Sequence, residues 1–377
     1  MKTALISSPS YTLLNLNYPA ECKFGTRVGN IVYLHQYCKR MNHLYIIGNG
    51  FDIAHNLNTR YHDFIVWYLG QIWQDVVKNQ NTEIHINDPL ITIEKDNFIP
   101  IFRPLVGGIK DSNNFTDKME GFVQSTKHHF HYTMSDLLIR ILKKDKEGWA
   151  DIEKEYFELL KSCFKKNDGS ILELNKGLIS LKTKLIEYIV LVMQGKPTPK
   201  DTIISILNSI EKDEKQLFLC FNYTNVLQFY DCIKTKDIIN ILGSYNSTID
   251  SIIFGYGDEM DEMYKEIEDL DNDEYLINMK AFGYFRSHSY QQLVDFIGQN
   301  DYKVHCLGHS LGLSDRLLLN TILKHDNCAK IELHYYHEDS NDNFDELTMK
   351  LSRHFDSRIK DKMRNIVVPR PLSKSMD

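Results

Sequence analysis

The chain has 377 residues, 42% of them hydrophobic, enough for one large domain or two ordinary ones with a full core. A net charge of −7 argues against a dedicated nucleic-acid binder, and no clear nucleic-acid site is expected. The seven cysteines form no Cys-x-x-Cys pair, no apolar run reaches bilayer length and no secretory signal is evident. These features argue against a disulfide scaffold or membrane protein and for a cytoplasmic one with reduced thiols.

Residues 1–40 are basic, with Lys2, Lys23, Arg27, Lys39 and Arg40 against Glu21, and hold no sustained period. Low order is expected there. Leu44–Ile47 is then an apolar run, broken by Gly48-Asn49-Gly50 and followed at once by an amphipathic segment. A buried strand, a tight turn and a helix follow from that pattern. Without a Cβ, Gly48 and Gly50 let the backbone lie close against a ligand, and the helix N-terminus suits a phosphate. The same turn serves simple chain reversal equally well. The dinucleotide fingerprint is incomplete, because Ile53 stands where its third glycine belongs. Asp52, in the first helical turn, either caps the helix or faces a ribose, since it would repel a diphosphate.

Residues 61–79 predict a helix with Phe64, Ile65, Tyr68, Ile72 and Val76 on one face. Residues 80–116, with Pro89, Pro100, Pro104 and Gly107-Gly108, predict an irregular excursion, a hairpin or flap beside the site. Residues 116–213 read as a helical insertion, clearest at 149–165 and 171–193 and broken at Pro197 and Pro199. Short apolar strands then alternate with helices. The strands are predicted at 217–222, 238–242, 251–254, 303–307 and 330–336. The helices are predicted at 258–270, 290–298, 315–324 and 344–354. The whole implies an α/β fold, a mainly parallel, Rossmann-like three-layer sheet. Ligands of such sheets bind beyond the carboxyl ends of the strands. Gly48, Asn222 and Gly308 each follow a strand, so one rim should bring them to a single dinucleotide-sized pocket.

Asn222 can hold a ribose hydroxyl or orient a water, or it can cap the segment carrying Val226, Leu227 and Phe229. Gly308-His309-Ser310-Leu311-Gly312 fits the nucleophile elbow Gly-x-Ser-x-Gly, and Asp345 and His354 follow in triad order. Against a serine hydrolase, only 65 residues follow Gly312 and no His-Gly-Gly oxyanion segment precedes it. Metal signals are incomplete. Asp269, Asp271 and Asp273 open like a calcium loop, but Glu274 replaces its glycine and Lys280 its last glutamate. His128-His129-Phe130-His131 and His334-x-x-His337 lack zinc-site companions, so no metal is expected.

Four segments in order resemble the AbiH proteins of bacteriophage abortive infection. They are Gly48–Leu57 followed by Thr59, Tyr61 and Phe64; Trp149 with Ile152-Glu153; Phe221-Asn222-Tyr223-Thr224; and Gly308–Gly312 with Asp315. More distantly they resemble sirtuin-like NAD-binding proteins. The resemblance implies one domain over 41–377 with 1–40 as an upstream extension, and antiphage defence through binding and hydrolysis of NAD or a related nucleotide. Gly48, Asn49, Gly50 and Phe51 would then cradle the ligand, with Asn222 at the nicotinamide ribose. Thr224, Gly243, Gly308, Ser310 and Asp315 would complete the pocket, and Glu153 would be a cleft carboxylate instead of a surface charge. Thr224 stands where an aspartate usually ends the asparagine motif. Leu242-Gly243 stands where sirtuins carry His-Gly, and leucine cannot accept a proton. Catalysis would therefore fall to Asn222, Asp52 and a substitute base, His309 among His55, His62 and His288. A phage-derived trigger and self-association are the expected partners. A non-catalytic nucleotide sensor and a hydrolase using Ser310 are the rival readings.

Overall fold

Five strands form the central sheet: Asn42–Ile47 (β1), Gln216–Cys220 (β2), Ile238–Asn240 (β3), Tyr302–Leu307 (β4) and Cys328–His334 (β5). They lie in the order β5-β4-β1-β2-β3 with every neighbouring pair parallel. This is a Rossmann-like order. The chain winds outward from β1 through β2 and β3, then returns past β1 to lay down β4 and β5. The reversal falls between β1 and β4, where open sheets of this kind leave a crevice. The computed structural model describes residues 25–28, 31–34, 41–79, 83–95, 108–126, 130–143, 149–208, 214–256, 261–338 and 341–377.

β1 is buried along its whole length. Its side chains alternate between two cores, as a period of two requires. Tyr45 and Ile47 face the helices that follow β1, while Leu44 and Ile46 pack with Leu293, Leu318 and Ile322 from helices Ser289–Gln299 and Arg316–Leu323. Burying each aliphatic side chain contributes about 1.5–3 kcal/mol, which commits this strand to the middle of three layers.

The connection from β1 to β2 carries helices Asn49–Ala54 (α1), Tyr61–Lys78 (α2), Ser112–Thr126 (α3), Asp136–Lys143 (α4), Trp149–Lys166 (α5), Ile171–Val192 (α6) and Asp201–Leu207 (α7). It also carries a small antiparallel sheet of Ile84–Asp88, Ile91–Lys95 and Phe130–Met134. The hairpin expected in the excursion is the first pair of these strands; residues 96–107 lie outside the described residues. The third strand lies within 116–213, which reads from the sequence as mainly helical and without it. Phe130 alternates inward and meets Phe122 of α3 ring to ring at 4.7 Å, while His131 turns out to solvent. Within the basic leading segment, Gly25–Val28 and Ile31–Leu34 pair antiparallel. The remainder of 1–40 lies outside the described residues, as do His128 and His129.

One expected strand is absent. Residues 251–254 follow a 3₁₀ turn at Ile249–Ser251 as irregular chain. Ile252, Ile253 and Phe254 are buried, but the segment touches the sheet edge through Ile253 N–H to Leu242 O at 2.9 Å, and the Tyr223 hydroxyl donates to Ile253 O. Its apolar character reflects burial without strand pairing. The predicted helix 258–270 forms over Glu262–Glu268, where Asp261 accepts the Met263 N–H; residues 257–260 lie outside the described ones. Among the described residues no helix is long and apolar enough to cross a membrane.

Candidate functional site

Three loops leave the carboxyl ends of β1, β2 and β4 and meet. Gly50 N–H donates to Gly308 O at 2.8 Å and Gly48 N–H to Leu307 O at 3.1 Å. The contact is backbone on backbone. A Cβ on Gly48 would lie 2.4 Å from His309 Cα, and one on Gly308, whose φ is +68°, would lie 2.1 Å from the Phe51 nitrogen. Glycine is required at both positions to let the two loops touch. Three of the donors expected to cradle a phosphate are thereby engaged, those of Gly48, Gly50 and Phe51, the last bonding back to Gly48 O. α1 stops after six residues, with Asn56 in the left-handed conformation.

Beside this junction lies a cleft of about 790 Å³, within the usual range for small-molecule sites. Its walls include Gly48, Asn49, Gly50, Asp52, Asn222, Thr224, Gly308, His309, Ser310 and Asp315. The convergence expected from the shared rim is met. Two sequence candidates lie elsewhere. Phe51 is fully buried in the core against His55, and Gly243 makes the turn after β3 with φ +87° against Ser251 and Ile252. Of the four histidines, His309 and His62 line the cleft. His55 instead donates from Nδ1 to Phe51 O and receives the Tyr230 hydroxyl at Nε2, each at 2.6 Å, and His288 is exposed ahead of helix Ser289–Gln299.

Asp52 forms one part of the floor. Its Oδ1 accepts the Asn222 amide at 2.9 Å and its Oδ2 the Thr224 hydroxyl at 2.8 Å. Burial lifts its pKa to about 7, against the lowering pull of those two hydrogen bonds. The Asn222 amide also donates to Gly48 O at 3.0 Å, which leaves its carbonyl oxygen as the group without a protein partner among the described residues. Capping is not its role: the short helix Val226–Phe229 starts beyond Asn225.

The second part of the floor is a buried ion triad. Lys280 Nζ stands 2.7 Å from Glu153 and 2.8 Å from Asp315. Burial raises Glu153 to about 7, partly offset by Lys280. Burial also acts to raise Asp315, but Lys280 and then His309 hold its carboxyl below the usual range. The triad thus rests as an ammonium–Asp315 pair, with Glu153 the member that takes a proton. Glu153 is the cleft carboxylate that the family resemblance implied. Lys280 has no place in the sequence reading except as a failed calcium ligand. The available signal was a lone charge inside the apolar stretch Met279–Phe285.

His309 accepts the Leu311 N–H at Nδ1, so its proton sits on Nε2, 3.7 Å from Asp315. Burial lowers its pKa to about 4. It is a neutral donor here, with the lone pair a base would need already engaged. Ser310 is exposed at the mouth, and the positive φ falls on Leu311 instead, at 55°. His354 is bonded to Leu311 O at 3.0 Å and Asp345 is exposed, so no Ser-His-Asp relay assembles. Asp269, Asp271 and Asp273 are likewise exposed. The rim of the cleft is cationic: Arg60, Lys154 and Arg353 are exposed there, and Lys350 is paired with Glu346.

The family model described as "Bacteriophage abortive infection AbiH" matches residues 44–337, from the first core residues of β1 to just beyond β5. Comparison with curated proteins and with solved structures finds no match.

Proposed function

Because this chain belongs to the AbiH family of bacteriophage abortive infection, we propose that it serves antiphage defence by binding and hydrolysing NAD or a related nucleotide in the cleft. The observation that carries this reading is the meeting of the β1, β2 and β4 loops around one cavity at the winding reversal, with a cationic rim above a buried polar floor. Arg60, Lys154 and Arg353 neutralise the diphosphate at the mouth, a role that the engaged N–H groups of Gly48, Gly50 and Phe51 leave open. The Asn222 carbonyl and Asp52 face the ribose.

Hydrolysis then asks little of the protein. The glycosidic C–N bond breaks with its electron pair going to the nicotinamide nitrogen, which leaves neutral. Asp52, in its carboxylate form, stabilises the positive charge developing on the ribose and takes the proton of the attacking water, whose oxygen joins the anomeric carbon. A pKa near 7 suits a general base at neutral pH. Ser310 and His309 also line the cleft. A chain that depletes NAD must be silent in a healthy cell, so a phage component or self-association switches it on.

The test is release of nicotinamide from NAD by the purified chain, with Asn222→Ala and Asp52→Asn as controls. A second reading, a nucleotide sensor without catalysis, draws on Leu242, an apolar residue in the cleft wall. Binding without turnover selects the sensor. Neither binding nor turnover, with the suspected trigger present, removes both.

A further inference from the structure

A line of three histidines crosses the central sheet on the face that carries Tyr45. His43 of β1, His305 of β4 and His334 of β5 stack with interplanar angles of 19° and 13°. His43 Nδ1 is 2.9 Å from His305 Nε2, and His305 Nδ1 is 3.1 Å from His334 Nε2. Both ends of the line rest on groups that only accept. His43 Nε2 meets the Glu214 carboxylate at 3.0 Å, and His334 Nδ1 meets the Lys374 backbone carbonyl at 3.0 Å.

The protons do not suffice. A neutral imidazole carries one N–H, so three rings supply three protons to a line of four links. With both ends taking a proton, His43 donates to Glu214 and His334 to Lys374 O. His305 then has one proton for two links; we place it on the shorter, 2.9 Å to His43 against 3.1 Å to His334. Two lone pairs are left facing each other, on His305 Nδ1 and His334 Nε2. A positive centre belongs between them. Glu332 Oε2 lies beside that gap, 3.6 Å from the first nitrogen and 3.9 Å from the second. A triangle with these three sides has a point equidistant from its corners at about 2.1 Å, the bond length of zinc to imidazole nitrogen or carboxylate oxygen.

We infer that His305 Nδ1, His334 Nε2 and Glu332 Oε2 bind a divalent transition-metal ion, zinc by ligand type. Two imidazoles and one carboxylate with a fourth position open to water is a zinc donor set. The outer nitrogens are held as metal-ligating histidines require, one by a backbone carbonyl and the other through His43 to a carboxylate. The Lys303 ammonium now rests on Glu332 Oε2 and is what the ion displaces. His334 also lines the cleft, which gives the ion a route in. The pairing is one that adjacency in sequence conceals: His334 joins His305 across the sheet, while His337 turns away to Asp377.

The experiment uses the full chain, free of any tag, stripped with chelator and titrated with Co²⁺ and then Zn²⁺. One equivalent of Co²⁺ should give tetrahedral d–d absorption that Zn²⁺ abolishes. Glu332→Gln and His334→Ala should each weaken binding by at least about 100-fold, with His337→Ala unchanged. Circular dichroism checks that the variants fold, and if His334→Ala does not, Glu332→Gln decides alone. A folded parent chain that takes up no stoichiometric metal overturns the site. So does undiminished binding in the folded Glu332 variant, or nitrogen NMR showing an imidazolium in the line that Zn²⁺ leaves in place.

Discussion

Replacing Lys280 by methionine tests the floor of the cleft most directly. Methionine fills much of the lysine volume but leaves Glu153 and Asp315 buried without the ammonium that stands 2.7 and 2.8 Å from them. Breaking a buried ion pair from one side costs about 3–5 kcal/mol. Unfolding entropy is about 2.1 cal/mol/K per residue, so over the roughly 310 described residues the chain should melt about 5–8 °C lower. The loss should deepen with pH. Both carboxyls would then have folded pKa values above their unfolded ones. They would stabilise the native state below the unfolded value, and that contribution would vanish as pH rises through the folded one. Scanning calorimetry between pH 5 and 8 reads this out, and adding Glu153→Gln should recover more than half of the loss. A Lys280→Met chain that melts within about 1 °C of the parent at pH 7.5 would refute the reasoning.

Asp52→Asn should flatten the pH dependence of melting between pH 5 and 8, because the parent gives up the contribution of protonated Asp52 as pH passes about 7. The same change should abolish nicotinamide release, which in the parent should rise with an inflection near pH 7. Gly308→Ala, with a Cβ 2.1 Å from the Phe51 nitrogen and a φ of +68°, should destabilise by more than about 2 kcal/mol and disrupt the cleft. Gly70→Ala on α2, where a Cβ meets nothing within 4 Å, should instead stabilise by about 0.5–1 kcal/mol in urea titrations. Ser310→Ala should leave any nucleotide turnover within about threefold of the parent, and a fluorophosphonate probe should not label the parent at Ser310.

The order of apolar runs made the sheet legible. β1 and β2 carry apolar runs, β4 and β5 interleave apolar residues with Lys303, His305, Lys330 and Glu332, and each formed within a residue or two of expectation. Ser251–Phe254 has the same composition and no strand, because an apolar run reports burial and is silent about backbone partners. The rim was legible from Gly48, Asn222 and Gly308, since a parallel sheet fixes where its loops emerge. What the glycines serve was not: their missing Cβ atoms make room for another loop. Lys280 escaped for a different reason. Its meaning lies in Glu153 and Asp315, 127 and 35 residues away, and no local pattern encodes such a meeting.

The placement of β1 has a consequence for biosynthesis. Its ladder partners are Gln216–Cys220 and Tyr302–Leu307, so the strand emerges from the ribosome long before either exists. At about 5–20 residues per second, roughly 15–50 s separate the appearance of Gly48 from that of Asp315. During that interval the apolar run Leu44–Ile47 waits with both edges unpaired. The nascent polypeptide can therefore complete neither the walls nor the floor of its cavity until translation has passed Asp315. A chain cut short before Tyr302 would lack the whole β1–β4 ladder and with it the β4 side of the cavity.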